Sequence, residues 1–175
     1  MSKTANDRLF CLAVSCEKGL PSERLLYYMY MFQLAGFELN FRYSIGAEGL
    51  VSRDLSKYLN EIISKGVLRS ENGYLYITED ISEIYCYLPI TYSDLEIMDA
   101  ICEIVQSLSS DELNLVCVVD YIIMEVTTFR GVDGLIKERE SIEDVVSKLC
   151  SAYSKENFDQ SIKLAENIKK GIKLC

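Results

Sequence analysis

The chain of 175 residues is 49% hydrophobic and carries a formal net charge of −9, long enough to bury about two thirds of its unfolded surface. It has no histidine, so neither a Ser-His-Asp nor a Cys-His arrangement can be built and the commonest general base near neutral pH is missing. No glycine-rich phosphate loop follows a strand and no carboxylate pair stands out from the surface charges. The expectation is a non-enzyme with no catalytic residues, cofactor or small-molecule substrate, although carboxylate-only or lysine-based chemistry stays open.

The stretch from Asn6 to about Lys18 reads as a first helix, with Leu9, Phe10, Leu12, Ala13, Val14 and Cys16 on its apolar faces and Gly19 at its end. The next helix, Ser22 to Gly36, organises the chain. Leu25 through Phe32 carry no charge, so this helix is apolar on every side and must be wrapped. Ser22 is placed to cap it, Glu23 to meet its positive end and Gly36 to stop it. The run is far shorter than the roughly 20 apolar residues that span a bilayer, so it belongs to a core or an interface. Its aromatic rings either fill that core or form a binding face.

Phe37, Leu39, Phe41, Tyr43 and Ile45 then alternate with polar residues, which is strand periodicity, and Gly46 and Gly49 mark a turn. Ser52 caps a helix to Lys65, closed by Gly66. Leu55, Tyr58, Leu59, Ile62 and Ile63 face inward from it, and Arg53, Lys57, Asn60 and Ser64 form an outer stripe. Val67 to Arg69 and Tyr74 to Ile77 flank Asn72-Gly73, a strong hairpin signal.

Beyond Thr78 the pattern is helical. Thr91 and Asp94 form a capping box that opens a helix to about Leu108 with Ile97, Ala100, Ile101 and Ile104 on its inner face. Ser110, with Asp111 and Glu112 behind it, opens another to about Thr128, apolar nearly all round from Leu113 to Ile123. Arg130 to Glu140, with Gly131 and Gly134, reads as an exposed, mobile loop. Ser141 opens a helix to about Ala152, and Ser154 caps a last one to Lys170.

The expected fold is α+β and mostly α. Residues 1–80 form a winged-helix-like unit with a small β-hairpin, in which the helix from Ser52 to Lys65 is the reading helix and the loop around Asn72 the wing. Residues 81–175 form a helical layer over it. Leu25, Tyr28, Met29, Phe32, Leu55, Leu59, Ile62, Val116, Val119 and Ile123 are expected in a shared core.

The seven cysteines, Cys11, Cys16, Cys86, Cys102, Cys117, Cys150 and Cys175, are scattered and never spaced as Cys-x-x-Cys. That pattern predicts reduced thiols acting as small hydrophobes, no zinc site, and a cytoplasmic location with no secretory leader. Charge is unevenly spread. Residues 1–70 hold nine Lys or Arg against seven Asp or Glu, residues 71–129 none against twelve, and residues 130–175 nine against eight. The middle third is repelled by phosphate backbones and drawn to a basic partner, or it is a solvated face that keeps the protein soluble.

Three segments, LLYYMYMFQLAG, FRYSIGA and LSKYLNEIISKGVL, together resemble the Panacea antitoxin and YwgA-like family of small prokaryotic proteins. ELNLVCVVDYI and SIEDVVSKLCSAYSKENFDQSIKLAENI are similar to that family's closing helices. The chain departs from the pattern at Ile45-Gly46-Ala47, which lacks the usual proline, and in having neither histidine nor tryptophan. The resemblance implies a non-catalytic partner protein of a prokaryotic conflict system. It would be either an antitoxin that silences a toxin or a small middle subunit of a Lamassu-like anti-phage assembly with an SMC-like ATPase and an effector nuclease.

The leading expectation is therefore an accessory or adaptor protein that binds a larger protein encoded nearby, through the acidic residues Asp94, Asp99, Glu103, Asp111 and Glu112. The alternative is a winged-helix DNA-binding regulator that uses Arg42, Arg53, Lys57, Lys65 and Arg69. Those five cations are equally readable as a solvated face with ordinary charge pairs. A third possibility is contact with DNA only within a larger complex. No membrane contact is expected.

Overall fold

The computed structural model describes residues 5–78 and 91–171 of the chain, and for residues 5, 130 and 132–137 the backbone only. In order, the elements are α1 (Ala5–Ser15), β1 (Leu20–Pro21), α2 (Arg24–Leu34), β2 (Ser44–Gly46), β3 (Gly49–Val51), α3 (Arg53–Ser64), β4 (Leu68–Glu71), β5 (Tyr74–Ile77), α4 (Tyr92–Ser107), α5 (Ser110–Leu149) and α6 (Lys155–Lys169). The fold is α+β and mostly α. The chain divides into two compact units: 1–43 with 52–107, and 44–51 with 108–175. Cys86, Cys175 and the expected boundary at Asp80 lie outside the described residues.

In the first unit, α2 is the core. Leu25, Tyr28, Met29, Tyr30, Met31 and Phe32 are all buried, so its rings are core filling, apart from the half-buried Tyr27. Tyr28 donates its hydroxyl to Glu17 at 3.0 Å, and burial followed by that carboxylate pushes the hydroxyl's pKa well above the ordinary range. Arg24 pairs with the same Glu17 at 3.3 Å and also donates to the Val105 carbonyl.

The expected cap at Ser22 is not formed. Glu23 is the N-cap, without a side-chain bond, because Leu20 and Pro21 pair with Leu75 and Tyr74 and the Ser22 N–H is taken by the Gly73 carbonyl at 2.9 Å. The sheet pairing sets the entry to the helix. Pro21 sits on an edge strand, where its missing N–H disrupts no inner ladder. The antiparallel sheet has the order β1-β5-β4. Its hairpin turns at Asn72 (φ 53°) and Gly73 (φ 82°), a pair of left-handed residues that suits the twist of the flanking strands.

The nine-residue alternation from Phe37 to Ile45 does not become a strand. Only Ser44–Gly46 is paired. Leu39 and Phe41 are nevertheless buried and Glu38, Asn40 and Arg42 exposed, so the alternation reports burial and not a ladder. Asn40 adopts φ 58°, which breaks an extended run, and Gln33 satisfies the Phe41 backbone instead. Its Nε2 donates to the Phe41 carbonyl and its Oε1 accepts the Phe41 N–H, both at 3.0 Å. Phe41 then closes a ring triangle with Phe10 at 5.9 Å and Tyr58 at 5.7 Å, with Phe10 and Tyr58 themselves 5.2 Å apart. Rings at these separations gain edge-on electrostatic attraction beyond their burial. The Ser52 cap of α3 is as expected, accepting the Leu55 N–H at 3.2 Å.

On α4 the buried residues are Met98, Ile101, Cys102 and Val105, a stripe at helical spacing turned by about one residue from the expected one, since Ile97, Ala100 and Ile104 are only half-buried. One expectation about the cysteines is overturned in this unit. Cys16 and Cys102 are joined by a disulfide across a Cα separation of 6.1 Å. Two residues 86 positions apart in sequence carry no spacing signature that a linear reading could find.

In the second unit, the capping residue of α5 is Ser109 and not Ser110, and it forms a reciprocal box with Glu112. Leu113 and residues 115–119 are buried, and the helix continues past the expected stop at Thr128. Residues 130–140 are not a loop. The backbone is helical on both sides of Gly131, which alone leaves the helix at φ 71°, ψ −179°. That conformation is essentially restricted to glycine, so Gly131 marks a bend and not a loss of structure, while Gly134 stays helical.

Val119 and Val116 are buried as expected, while Ile123 is half-buried. Phe158, Ala165 and Ile168 of α6 are buried in the same unit. The 3%-exposed Asp120 accepts from Lys169 Nζ at 2.6 Å, a buried anion matched by a cation that reaches the surface. Ser154 caps α6 by accepting the Asn157 N–H at 3.1 Å.

The hairpin β2-β3 belongs to this second unit. Asn114 of α5 holds it, accepting the Leu50 N–H at 3.2 Å and donating to the Glu48 carbonyl at 3.1 Å. Gly49 (φ 119°) lies against the Asn114 side chain so closely that a Cβ would overlap its amide. Gly49→Ala therefore combines a left-handed backbone penalty with loss of the Asn114 clamp. It should lower stability by about 2–4 kcal/mol in urea denaturation. Gly36→Ala, with φ 101° and nothing within 4 Å, should cost only the backbone term of about 1–2 kcal/mol.

Candidate interaction surfaces

The five cations do not form one patch. Arg53 and Lys57 are exposed on α3, one turn apart on the same face. Arg42, 91% exposed, pairs with Asp54 at 3.1 Å, and Arg69 pairs with Glu71 at 2.6 Å while its guanidinium lies 4.9 Å from the Tyr76 ring centre. Lys65 lies 6.0 Å from the Tyr58 ring. Arg42 and Lys57, together with Asp54, Glu61, Asn40 and Tyr58, border an open groove of about 240 Å³ in the first unit. Two cations facing two carboxylates make that groove nearly neutral, so its field favours neither phosphate nor a cation.

The acidic residues split into two kinds. Asp94 is a helix cap, accepting the Thr91 N–H at 2.7 Å and its hydroxyl at 2.8 Å. Glu112 is the same at the start of α5, accepting the Ser109 N–H at 2.8 Å and hydroxyl at 2.7 Å. Hydrogen bonds to the Ser109 backbone first, and to its side chain second, hold the Glu112 carboxyl below the ordinary value. Asp99 and Glu103, by contrast, are exposed and form no ion pair among the described residues. Asp111 is exposed in the first turn of α5, where the helix dipole already favours an anion.

Asp99 and Glu103 are joined by a residue that sequence reasoning missed. Glu96 lies three positions before Asp99 and seven before Glu103, so all three project from one face of α4, opposite the buried Met98, Ile101, Cys102 and Val105. Tyr92, 78% exposed, stands one turn before Glu96 on that face. The signal was present in the spacing, but it becomes readable only once the inner face of the helix is correctly set.

Among the described residues, no group of three or more His, Cys, Asp or Glu is placed to hold a metal ion, and no helix is long and apolar enough to cross a membrane. The thiols of Cys117 and Cys150 are pushed up by burial, the latter to about 11, so both stay protonated near neutral pH. Comparison with known proteins finds no family model, curated protein or solved structure that matches this chain.

The lowered Glu112 carboxyl fixes a sign for acid unfolding. A folded-state pKa below the unfolded one contributes stability that is fully present above the ordinary Glu range and is lost as pH falls through the lowered value. Glu112→Gln removes this dependence. The urea midpoint of the variant should fall less steeply than that of the parent between about pH 5 and pH 3.

Proposed function

We propose that this chain is a non-catalytic accessory protein that works in the cytoplasm by binding a larger, basic protein partner. The observation that supports this most directly is the outer face of α4. Glu96, Asp99 and Glu103 line it without ion pairs among the described residues, inside a stretch of 59 residues, 71–129, that has no Lys or Arg. A face of one sign raises the encounter rate with a partner of the opposite sign and repels nucleic acid. The resemblance to the Panacea and YwgA-like family suggests the setting: a prokaryotic conflict system, with a toxin or an SMC-like ATPase and nuclease complex as the partner.

A second reading has its own support. Leaving aside the β2-β3 hairpin, which belongs to the second unit, the order α1-β1-α2-α3-β4-β5 with strands arranged β1-β5-β4 is compatible with a winged-helix-like reading in which α3, with Arg53 and Lys57 on its exposed face, would serve as the reading helix. Against it stands the neutralisation of Arg42 and Arg69 by Asp54 and Glu71, which thins the electrostatic footprint that a dedicated DNA binder relies on.

The test is to express the tagged chain with its flanking genes and to analyse what co-elutes by mass spectrometry and size-exclusion chromatography. A stoichiometric complex is expected. The double variant Asp99→Lys, Glu103→Lys should reduce recovery of the partner at least about tenfold while leaving the circular dichroism spectrum unchanged. A lone monomer would sink the adaptor reading. DNA affinity that falls steeply with salt and vanishes in Arg53→Glu, Lys57→Glu would then establish the second one.

A further inference from the structure

The disulfide between Cys16 and Cys102 is the one covalent link, among the described residues, between α4 and the connection that follows α1. Cys16 is the first residue after α1 and heads the irregular connection to β1, whereas Cys102 lies on the buried face of α4. Gln106 Nε2 of α4 donates to the Cys16 carbonyl, and Arg24 bridges Glu17 of this connection to the Val105 carbonyl of α4. The C-terminal half of α4 is thus held at Cys16 by the disulfide and the Gln106 bond, beside the Arg24 bridge.

The two residues differ in burial. Cys102 is buried, whereas Cys16 is half-buried and lies in a non-helical bend that ends at Gly19 with φ 82°, which makes it the more open of the two to a small thiol. The other described cysteines, Cys11, Cys117 and Cys150, are thiols and all are buried. Cys16 Sγ also lies 3.3 Å from the Leu12 carbonyl oxygen, an acceptor for its proton once the bond is reduced. A bond with one half-buried cysteine in a bend and a prepared site for the released thiol differs from a disulfide buried at both ends.

We propose that Cys16–Cys102 is a reversible redox staple that sets the order of α4, and hence the fixed presentation of its outer face, while the rest of the first unit stays folded. A low-molecular-weight thiolate attacks Cys16 Sγ. The S–S bond breaks, a mixed disulfide forms on Cys16, and Cys102 leaves as a thiolate that takes up a proton. A second thiol attacks the mixed disulfide and releases Cys16 as a thiol. In total, two external thiols are oxidised to one disulfide and two electrons enter the protein. Re-oxidation by a low-molecular-weight disulfide reverses each step. The proposal concerns the chain's own structure and does not depend on which partner it binds.

The experiment uses the full chain equilibrated with defined ratios of glutathione and glutathione disulfide. Each cysteine is read by alkylation and peptide mass spectrometry, and backbone order by hydrogen exchange. Under the oxidised ratio, a linked Cys16–Cys102 peptide is expected. Under the reduced ratio, Cys16 and Cys102 should be alkylated together while Cys11, Cys117 and Cys150 stay protected. Exchange over residues 98–107 should then rise about tenfold, with residues 53–77 unchanged.

Cys16→Ser, which replaces the less buried cysteine, should match the reduced parent under both ratios. Failure of the linked peptide to form under the oxidised ratio would overturn the proposal. So would a reduction that leaves exchange over 98–107 unaltered, or one that raises exchange equally over 53–77, which would make the bond a global stabiliser.

Discussion

Everything in the first unit follows from the need to keep water from a helix that has no polar side. Six of the eleven residues of α2 are buried, and no single neighbour can cover them all. A helix, a short strand and a further helix must close around it, which is why α1, β1 and α4 gather where they do. The polar groups caught in that closure are satisfied locally. Glu17 serves both Tyr28 and Arg24, and Gln33 takes up both backbone groups of Phe41. Leaving either set unbonded would cost more than the bonds contribute, because a buried polar group without a partner bears its full desolvation penalty.

Features carried by neighbouring residues were legible in the sequence. The caps at Ser52, Thr91 and Ser154, the Asn72-Gly73 turn and the burial of Tyr28 and Phe32 each depend on a few adjacent side chains or on helical spacing. What failed depends on distant chain. Ser22 is a good capping residue, but sheet pairing to Tyr74 and Leu75 decides the backbone there. Phe37 to Ile45 alternates as a strand does, but no partner strand lies beside Phe37 to Tyr43 and Asn40 turns the chain. Gly131 and Gly134 look like a loop, whereas only one of them leaves helical geometry. Cys16 and Cys102 meet only because α1 and α4 both pack against α2.

The candidate surface was half legible for the same reason. The excess of negative charge between residues 71 and 129 is a matter of counting. Which carboxylates are spent on caps, and which remain as a face, is a matter of geometry. Asp94 and Glu112 moved into the first group, and Glu96 joined Asp99 and Glu103 in the second. The basic residues divide likewise, with Arg42 and Arg69 engaged by nearby carboxylates and Arg53 and Lys57 exposed on α3. Both surfaces are thus narrower than the sequence suggested, and each is carried by one helix.

The hairpin of Ser44–Gly46 and Gly49–Val51 interrupts the sequence of the first unit but is held by Asn114 of the second. No single cut in the chain therefore yields both units whole. On the ribosome, the Leu50 amide must wait for an acceptor 64 residues downstream, a delay of about 3–13 s at ordinary elongation rates. Through that interval the remaining part of the first unit, residues 52–107, is made, but the connection between α2 and α3 carries two short strands whose side-chain clamp has not yet been synthesised. A nascent chain of this protein thus spends seconds with an unfinished edge exposed, a window open to any chaperone that captures extended segments.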